Sequence, residues 1–257
     1  MASEAQFPGW NWEDPDALAA RMDEFTATIA RCDTLDVVAD KLPTTRRDLA
    51  DLGITGIEFA AFATAHQAGL GTDLVGVTAP DSATEPGPLY RVDGRSYFTQ
   101  LDISEPLPFE DGAVDWVYAE HLVEHVPLPV AVGWLSEVRR VLAPGGLLRL
   151  TTPDLRRYAD GYVKQDGFFN KHRRRLKVMR VGPPMPDRTA FMFNQIFYHY
   201  GHKWIYDEAE LRYVLSQAGF DPAAMTVVAF GEGERQDLAE LDTTMRSDET
   251  IYVEIHA

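Results

Sequence analysis

Between Tyr118 and Pro127, the stretch "YAEHLVEHVP" gathers Glu120, His121, Glu124 and His125. Two imidazoles beside two carboxylates can bind a divalent metal or pass protons. His121-Leu122-Val123-Glu124-His125 matches the His-x-x-Glu-His pattern of one group of zinc peptidases, with its histidines a helical turn apart. The same letters can also open the first turn after a buried strand, in a fold that needs no metal. A zinc peptidase needs its two histidines mid-helix and a further ligand from elsewhere. Here an apolar run, Val114–Ala119, stands directly before them, so the expectation is a strand end and no metal.

A second chemistry-bearing segment is "FYHYGHKWIYD", Phe197 to Asp207, with His199 and His202 among Tyr198, Tyr200, Trp204 and Tyr206. It could fold over a cleft, with His202 as a proton acceptor and the aromatic residues walling a pocket. It could equally be an aromatic cluster packed on a sheet. A third is "KHRRRLKVMR", Lys171 to Arg180, with six Lys/Arg and one His in ten residues. It reads either as a solvated helix face or as a basic lid, with Arg173 in it, that steers an anionic ligand.

The elements that must position these groups alternate between strand and helix. Short β-type runs, "GITGIEFAAF", "DLVGVTAP", "SYFTQLDIS" and "AVDWVYAE", are bounded by glycine and proline. A helix is expected over 128–142, with Val130, Trp134, Leu135, Val138 and Leu142 on one face, stopped by Pro144-Gly145-Gly146. "LLRLTTP" follows as a strand. A further helix is capped by Asp207 and closed by Gly219, and two last strands lie at 225–230 and 250–257. This alternation predicts βαβ units and a parallel sheet covered on both faces. Residues 12–41 read as helical, with Asp14-Pro15 as the cap and Leu18, Met22, Phe25 and Ile29 at helical spacing.

The stretch "LDISEPLPFEDGAVDWVYAEHLVEHV…LSEVRRVLAPGGLLRLTTPD" resembles the class I S-adenosylmethionine-dependent methyltransferases, and "GHKWIYDEAELRYVLSQAGF" looks like a small bacterial subgroup of them. The resemblance implies a Rossmann-like α/β fold with a mostly parallel seven-stranded sheet and an antiparallel last strand. It also implies division into an N-terminal helical cap or interface segment, 1–48, and a methyltransferase-like domain, 49–257, with 156–206 inserted over the cleft. It implies S-adenosylmethionine as cofactor, with Asp102-Ile103 near the adenine and Ala119-Glu120 at the fourth-strand rim. Glu120 and His121, first after that strand, are the residues expected to face substrate, with His121 or His202 as general base. His125 and the aromatic residues above complete an acceptor pocket. The acceptor it implies is a small polar molecule such as a sugar or natural product, methylated on oxygen.

The sequence departs from that family at the glycine-rich turn. Glu58 holds the acidic place, but Phe59, Ala60 and Ala61 stand where glycines are expected. A Cβ there resists positive φ and crowds a ligand. The second strand, read as "DLVGVTAP", ends in Thr78 where a ribose-binding carboxylate is expected, with Asp81 as a late substitute. Two readings stay open: a working methyltransferase, or the same fold with altered cofactor use, doing other chemistry or serving as a non-catalytic partner.

Composition narrows the field. At 257 residues with 45% hydrophobic and 25% charged residues, the chain is long enough to bury a sizeable core. A net charge of −16 argues against nucleic-acid and anionic-membrane surfaces. No apolar run reaches membrane-spanning length, and Cys32 is the single cysteine, so cytoplasm is the expected compartment. The partner expected is a small, sugar-like or anionic acceptor, with a homodimer through residues 1–48 as a further reading.

Overall fold

The computed structural model describes residues 30–61, 66–179 and 185–257. Its main sheet has nine strands. In chain order they are β1 (Leu35–Ala39), β2 (Gly56–Phe59), β3 (Gly69–Asp73), β6 (Leu89–Val92), β7 (Ser96–Gln100), β8 (Val114–Glu120), β9 (Leu142–Pro153), β10 (Thr226–Val228) and β11 (Thr250–His256). Two short strands, β4 (Thr78–Ala79) and β5 (Ser82–Ala83), form a separate hairpin. The spatial order is β1-β6-β7-β3-β2-β8-β9-β11-β10.

The central part, β7-β3-β2-β8-β9, is parallel throughout, and β11 runs antiparallel to β9. The last strand in sequence is thus antiparallel as expected, but the sheet has nine strands where seven were expected. The difference lies at the other edge, where β6 and β1 extend the sheet antiparallel beyond β7. Hydrophobic pattern explains the centre. β8 is almost wholly buried, as a strand covered on both faces must be.

Helix α1 (Arg46–Asp51) precedes β2. Helix α2 (Leu128–Val141) lays Trp134, Leu135, Val138 and Val141 on the sheet, with the Trp134 ring edge-on to Phe59 at 5.2 Å between centroids. Each such fully buried side chain stabilises by about 1.5–3 kcal/mol. Helix α6 (Glu208–Gln217) begins at Asp207, whose side chain accepts from the Glu210 N–H as expected, and closes at Gly219 with φ +92°.

Helices α3 (Leu155–Lys164), α4 (Phe168–Met179) and α5 (Thr189–Tyr198) form a cap with its own core of Tyr158, Phe168, Leu176, Met192 and Ile196. A buried polar network fastens this cap to the segment before β11. Tyr158 Oη donates to Glu249, Gln195 Nε2 donates to Tyr158 Oη at 3.0 Å, and His172 sits 3.4 Å from Glu249 and 3.3 Å from Asp248. The basic run of α4 is thus amphipathic: His172 and Leu176 face inward while Lys171, Arg174 and Lys177 face solvent.

Two expectations are corrected. The helical reading of 12–41 fails over its described part, where Leu35–Ala39 is a strand paired with β6; its β-branched pair Val37-Val38 suits an edge strand better than a helix. Residues 12–29 of that reading lie outside the described residues. The second parallel strand is Gly69–Asp73, not the apolar run "DLVGVTAP", whose Thr78-Ala79 lies in the small hairpin. The two glycines of "GLGTD" let it lie tightly among its neighbours: a Cβ on Gly69 would meet the Glu58 carboxylate at 2.3 Å.

Candidate functional site

The chain runs from β2 outward to β3 and β7, then crosses back to β8 on the other side of β2. Between β2 and β8 the strand order reverses, and in open α/β sheets the crevice outside the carboxyl ends at such a point is where ligands bind. Four strand ends therefore share one rim: Phe59, Asp73, Gln100 and Glu120.

At the end of β2, Ala60 takes φ +55°, a left-handed conformation that costs an L-residue with a Cβ roughly 1–2 kcal/mol. The backbone thus makes the turn that glycine would make, with alanine in it. Ala61 is buried, and 62–65 lie outside the described residues. Phe59 contributes its backbone to the rim; its ring belongs to the core. Glu58 is buried and accepts from the His66 N–H at 2.7 Å, so its carboxylate fastens the two ends of the turn.

At the end of β3 stands Asp73. Its Oδ1 accepts from the Val75 N–H at 2.9 Å, and burial pushes its carboxyl up to about 6. The sequence reading missed it because the apolar run that starts at Asp73 outweighed the four residues before it. The signal was present: "GLGTD" is a strand ending in a carboxylate, directly after the β2 turn. Thr78 and Asp81, the residues assigned that role from sequence, are both surface positions in or beside the β4–β5 hairpin. Past β7, Asp102 accepts from the Ser104 N–H and hydroxyl, which hold its carboxyl below the usual range. Ile103 beside it packs against the core.

After β8 the polar residues sort into two groups. Ala119 is fully buried. Glu120 is held by the Thr243 N–H at 3.0 Å and hydroxyl at 2.9 Å, and burial raises its pKa. His121, at φ +50°, is buried with Nε2 2.8 Å from Thr250 Oγ1 and Nδ1 3.0 Å from Glu124 Oε1. Burial drives its pKa well below the ordinary value. Glu120 and His121 therefore anchor the segment before β11, a correction to their expected substrate-facing placement. The strand-end alternation that should have aimed one of them outward is broken by the left-handed turn at His121.

The residue that does face outward, His125, comes five positions after Glu120, beside the buried Glu124. A short 3-10 turn, Val123–His125, presents Glu124 and His125, and His202 from the loop after α5 closes on them. The rings of His125 and His202 meet edge to face, 4.9 Å between centroids. His202 Nδ1 lies 2.6 Å from the Ile196 carbonyl, while Lys203 N–H donates to the Glu124 carbonyl at 2.6 Å and pins the loop. Desolvation lowers the His202 pKa. His125 keeps an edge open to solvent while protein crowds its ring, and that desolvation pushes it down to about 4 despite nearby Glu124. Both imidazoles are neutral at pH 7.

The aromatic residues divide likewise. Tyr200, at φ +63°, packs near His199 and His202, and Tyr198 is exposed. Trp204 is half-exposed and donates to Glu210 at 2.9 Å. Tyr206 is fully buried with its hydroxyl directed to the Val123 carbonyl, so it supports the site from beneath and does not wall a pocket. Arg173 lies elsewhere in the cap, ion-paired with Asp187 at 3.0 Å, and lines a small pocket with Gln165, Asn170 and Arg188.

Comparison with known proteins finds similarity to methyltransferases. Residues 50–150 match the family model described as a methyltransferase domain. An uncharacterized methyltransferase of Mycobacterium sp. strain KMS is 34% identical over 118 residues, which cover 42% of this chain and 45% of that protein. Another from strain JLS is 33% identical over 142 residues, covering 51% and 53%. The chain spans about half the length of the curated relatives it matches. Among solved structures, an S-adenosylmethionine-dependent methyltransferase from Mesorhizobium loti aligns at 14% identity and TM-score 0.44, over 82% of this chain and 96% of that one. One from Archaeoglobus fulgidus aligns at 11% and 0.41, over 95% of each. Residues 50–150 of this chain are thus similar to a methyltransferase domain.

Proposed function

We propose that this protein is an S-adenosylmethionine-dependent methyltransferase that methylates a hydroxyl of a small polar molecule, sugar-like or anionic. The observation that carries the reading is the rim itself: a left-handed turn at Ala60, a carboxylate at Asp73 and a second at Asp102 follow three neighbouring parallel strands in order.

These residues fit the cofactor. The turn after β2 brings backbone close to the ligand, Asp73 offers a carboxylate to ribose hydroxyls, and Asp102 lies at the adenine end. Ala60 already holds the backbone conformation that glycine would take there. When bound, S-adenosylmethionine supplies a methyl group on a positively charged sulfur, which an acceptor oxygen displaces in line. The protein's part is to hold the acceptor close and aligned, which contributes several kcal/mol. The acceptor hydroxyl meets the Glu124–His125–His202 corner beyond β8, where neutral imidazoles can take its proton.

The test is calorimetric titration with S-adenosylhomocysteine, followed by a screen of acceptors. Stoichiometric binding that is weakened in Asp73→Asn supports the reading. A folded protein that binds neither S-adenosylhomocysteine nor S-adenosylmethionine favours the alternative of altered cofactor use.

A further inference from the structure

We propose that Glu124, His125 and His202 form a binding site for a divalent cation of the zinc type. Ligand atoms of all three lie within 4.8 Å of one another. Metal–ligand bonds of about 2.0–2.2 Å in tetrahedral array separate ligand atoms by roughly 3.4 Å, so contraction of about an ångström closes the site. His125 stands at the solvent-open edge, where rotation of its side chain supplies that movement, while His202 is already held in place.

The surroundings are those of a ligand set. His202 Nδ1 donates to the Ile196 carbonyl at 2.6 Å, which leaves Nε2 with its lone pair free for a cation; metal-bound histidines almost always make such a second bond. Glu124 is fully buried. Thr152 Oγ1 donates to its Oε2 at 3.0 Å. Its Oε1 lies 3.0 Å from His121 Nδ1 but out of line with the ring N–H, so this oxygen has no hydrogen-bond donor. A buried carboxylate oxygen without a donor is costly, and a cation removes that cost. Two imidazoles and one carboxylate also match the protein ligands of catalytic zinc sites, which keep a fourth position open for water or substrate.

The motif Glu124-His125 therefore binds metal by a different pairing from the peptidase pattern. His121 stays on Thr250 and beside Glu124, and the third ligand comes from the loop after α5. This inference deepens the methyl-transfer reading: with the cation bound, His125 and His202 would hold it instead of taking the proton themselves, and its open position would polarise the acceptor hydroxyl, whose proton would leave to solvent water. The cation-binding claim itself is independent of whether the cofactor binds.

The experiment strips the protein with a chelator, confirms that it remains folded, and titrates it with Zn2+ by competition against a chromophoric chelator. Co2+ then serves as the spectroscopic probe. One equivalent of Zn2+ should bind. His125→Ala and His202→Ala should each lower affinity by more than the 10–100-fold that loss of an outer-shell partner costs. Co2+ should show visible absorption that both variants lose, while His256→Ala, at an exposed histidine bound to Glu234, should behave as wild type. Equal Zn2+ affinity in wild type and both variants, or no Zn2+ binding by the folded wild type, overturns the proposal. S-adenosylhomocysteine binding measured on the same metal-free sample separates this outcome from failure of the methyltransferase reading.

Discussion

His125 and His202 face each other edge to ring at 4.9 Å, one presented by the turn after β8 and the other by the loop after α5. The contact joins the sheet rim to the cap. It gives His121 and His202, alike as candidates on sequence, different work: His121 is buried among Thr250 and Glu124, and His202 stands at the cleft.

That division predicts opposite mutant behaviour. His121→Ala should destabilise the protein by about 1–3 kcal/mol, since it removes a buried polar partner and leaves a void. His202→Ala should change stability by far less yet abolish methyl transfer. Chemical denaturation alongside an activity assay separates the two.

Ala60→Gly should raise stability. Relief of the left-handed backbone, about 1–2 kcal/mol, outweighs the greater chain entropy of glycine in the unfolded state, about 0.4–1 kcal/mol. A net gain near 0.5–1 kcal/mol is expected from denaturant midpoints, with cofactor affinity at least maintained. Ala60→Val, β-branched in the same conformation, should destabilise.

Asp73 makes a pH-dependent prediction. Its folded pKa, raised by burial to about 6, exceeds the ordinary 3.8, so the folded state holds the proton more tightly than the unfolded state. Its effect on stability is therefore favourable at low pH and is lost as pH rises from about 4 through 6. Asp73→Asn should stabilise the ligand-free protein by about 1–2 kcal/mol at pH 7–8, with little gain at pH 4. Thermal melts of both proteins across pH test this.

His172 works in the same direction, at higher pH. Desolvation opposes its charge, but Glu249 and Asp248 outweigh that and raise its pKa above 6.5. The stability it contributes is complete below 6.5 and is lost as pH rises through the folded value. Wild type should therefore lose more thermal stability than His172→Gln between pH 6 and pH 9, and protease cleavage within α3–α5 should rise over the same interval.

The sheet centre was legible in the sequence because β8, α2 and β9 carry long apolar patterns and turn signals that nothing else contradicts. β3 was not: five residues containing two glycines made a weaker pattern than the apolar run that starts at Asp73, although neighbouring strands decided in favour of the shorter segment. The same competition hid β1, where edge pairing with β6 overrode helical spacing. At the site, the segments 118–127 and 197–207 were found from residue type alone. Which histidine faces the cleft was not, because a positive φ at His121 inverts the alternation on which any strand-end argument rests.

Calorimetric titration of S-adenosylhomocysteine into wild type and Asp73→Asn tests the rim assignment most directly. One equivalent should bind the wild type, and loss of the ribose-facing carboxylate should weaken binding by roughly 10–100-fold, the equivalent of a charged hydrogen bond. Absence of binding to folded wild type, or equal affinity in the two proteins, would contradict the assignment.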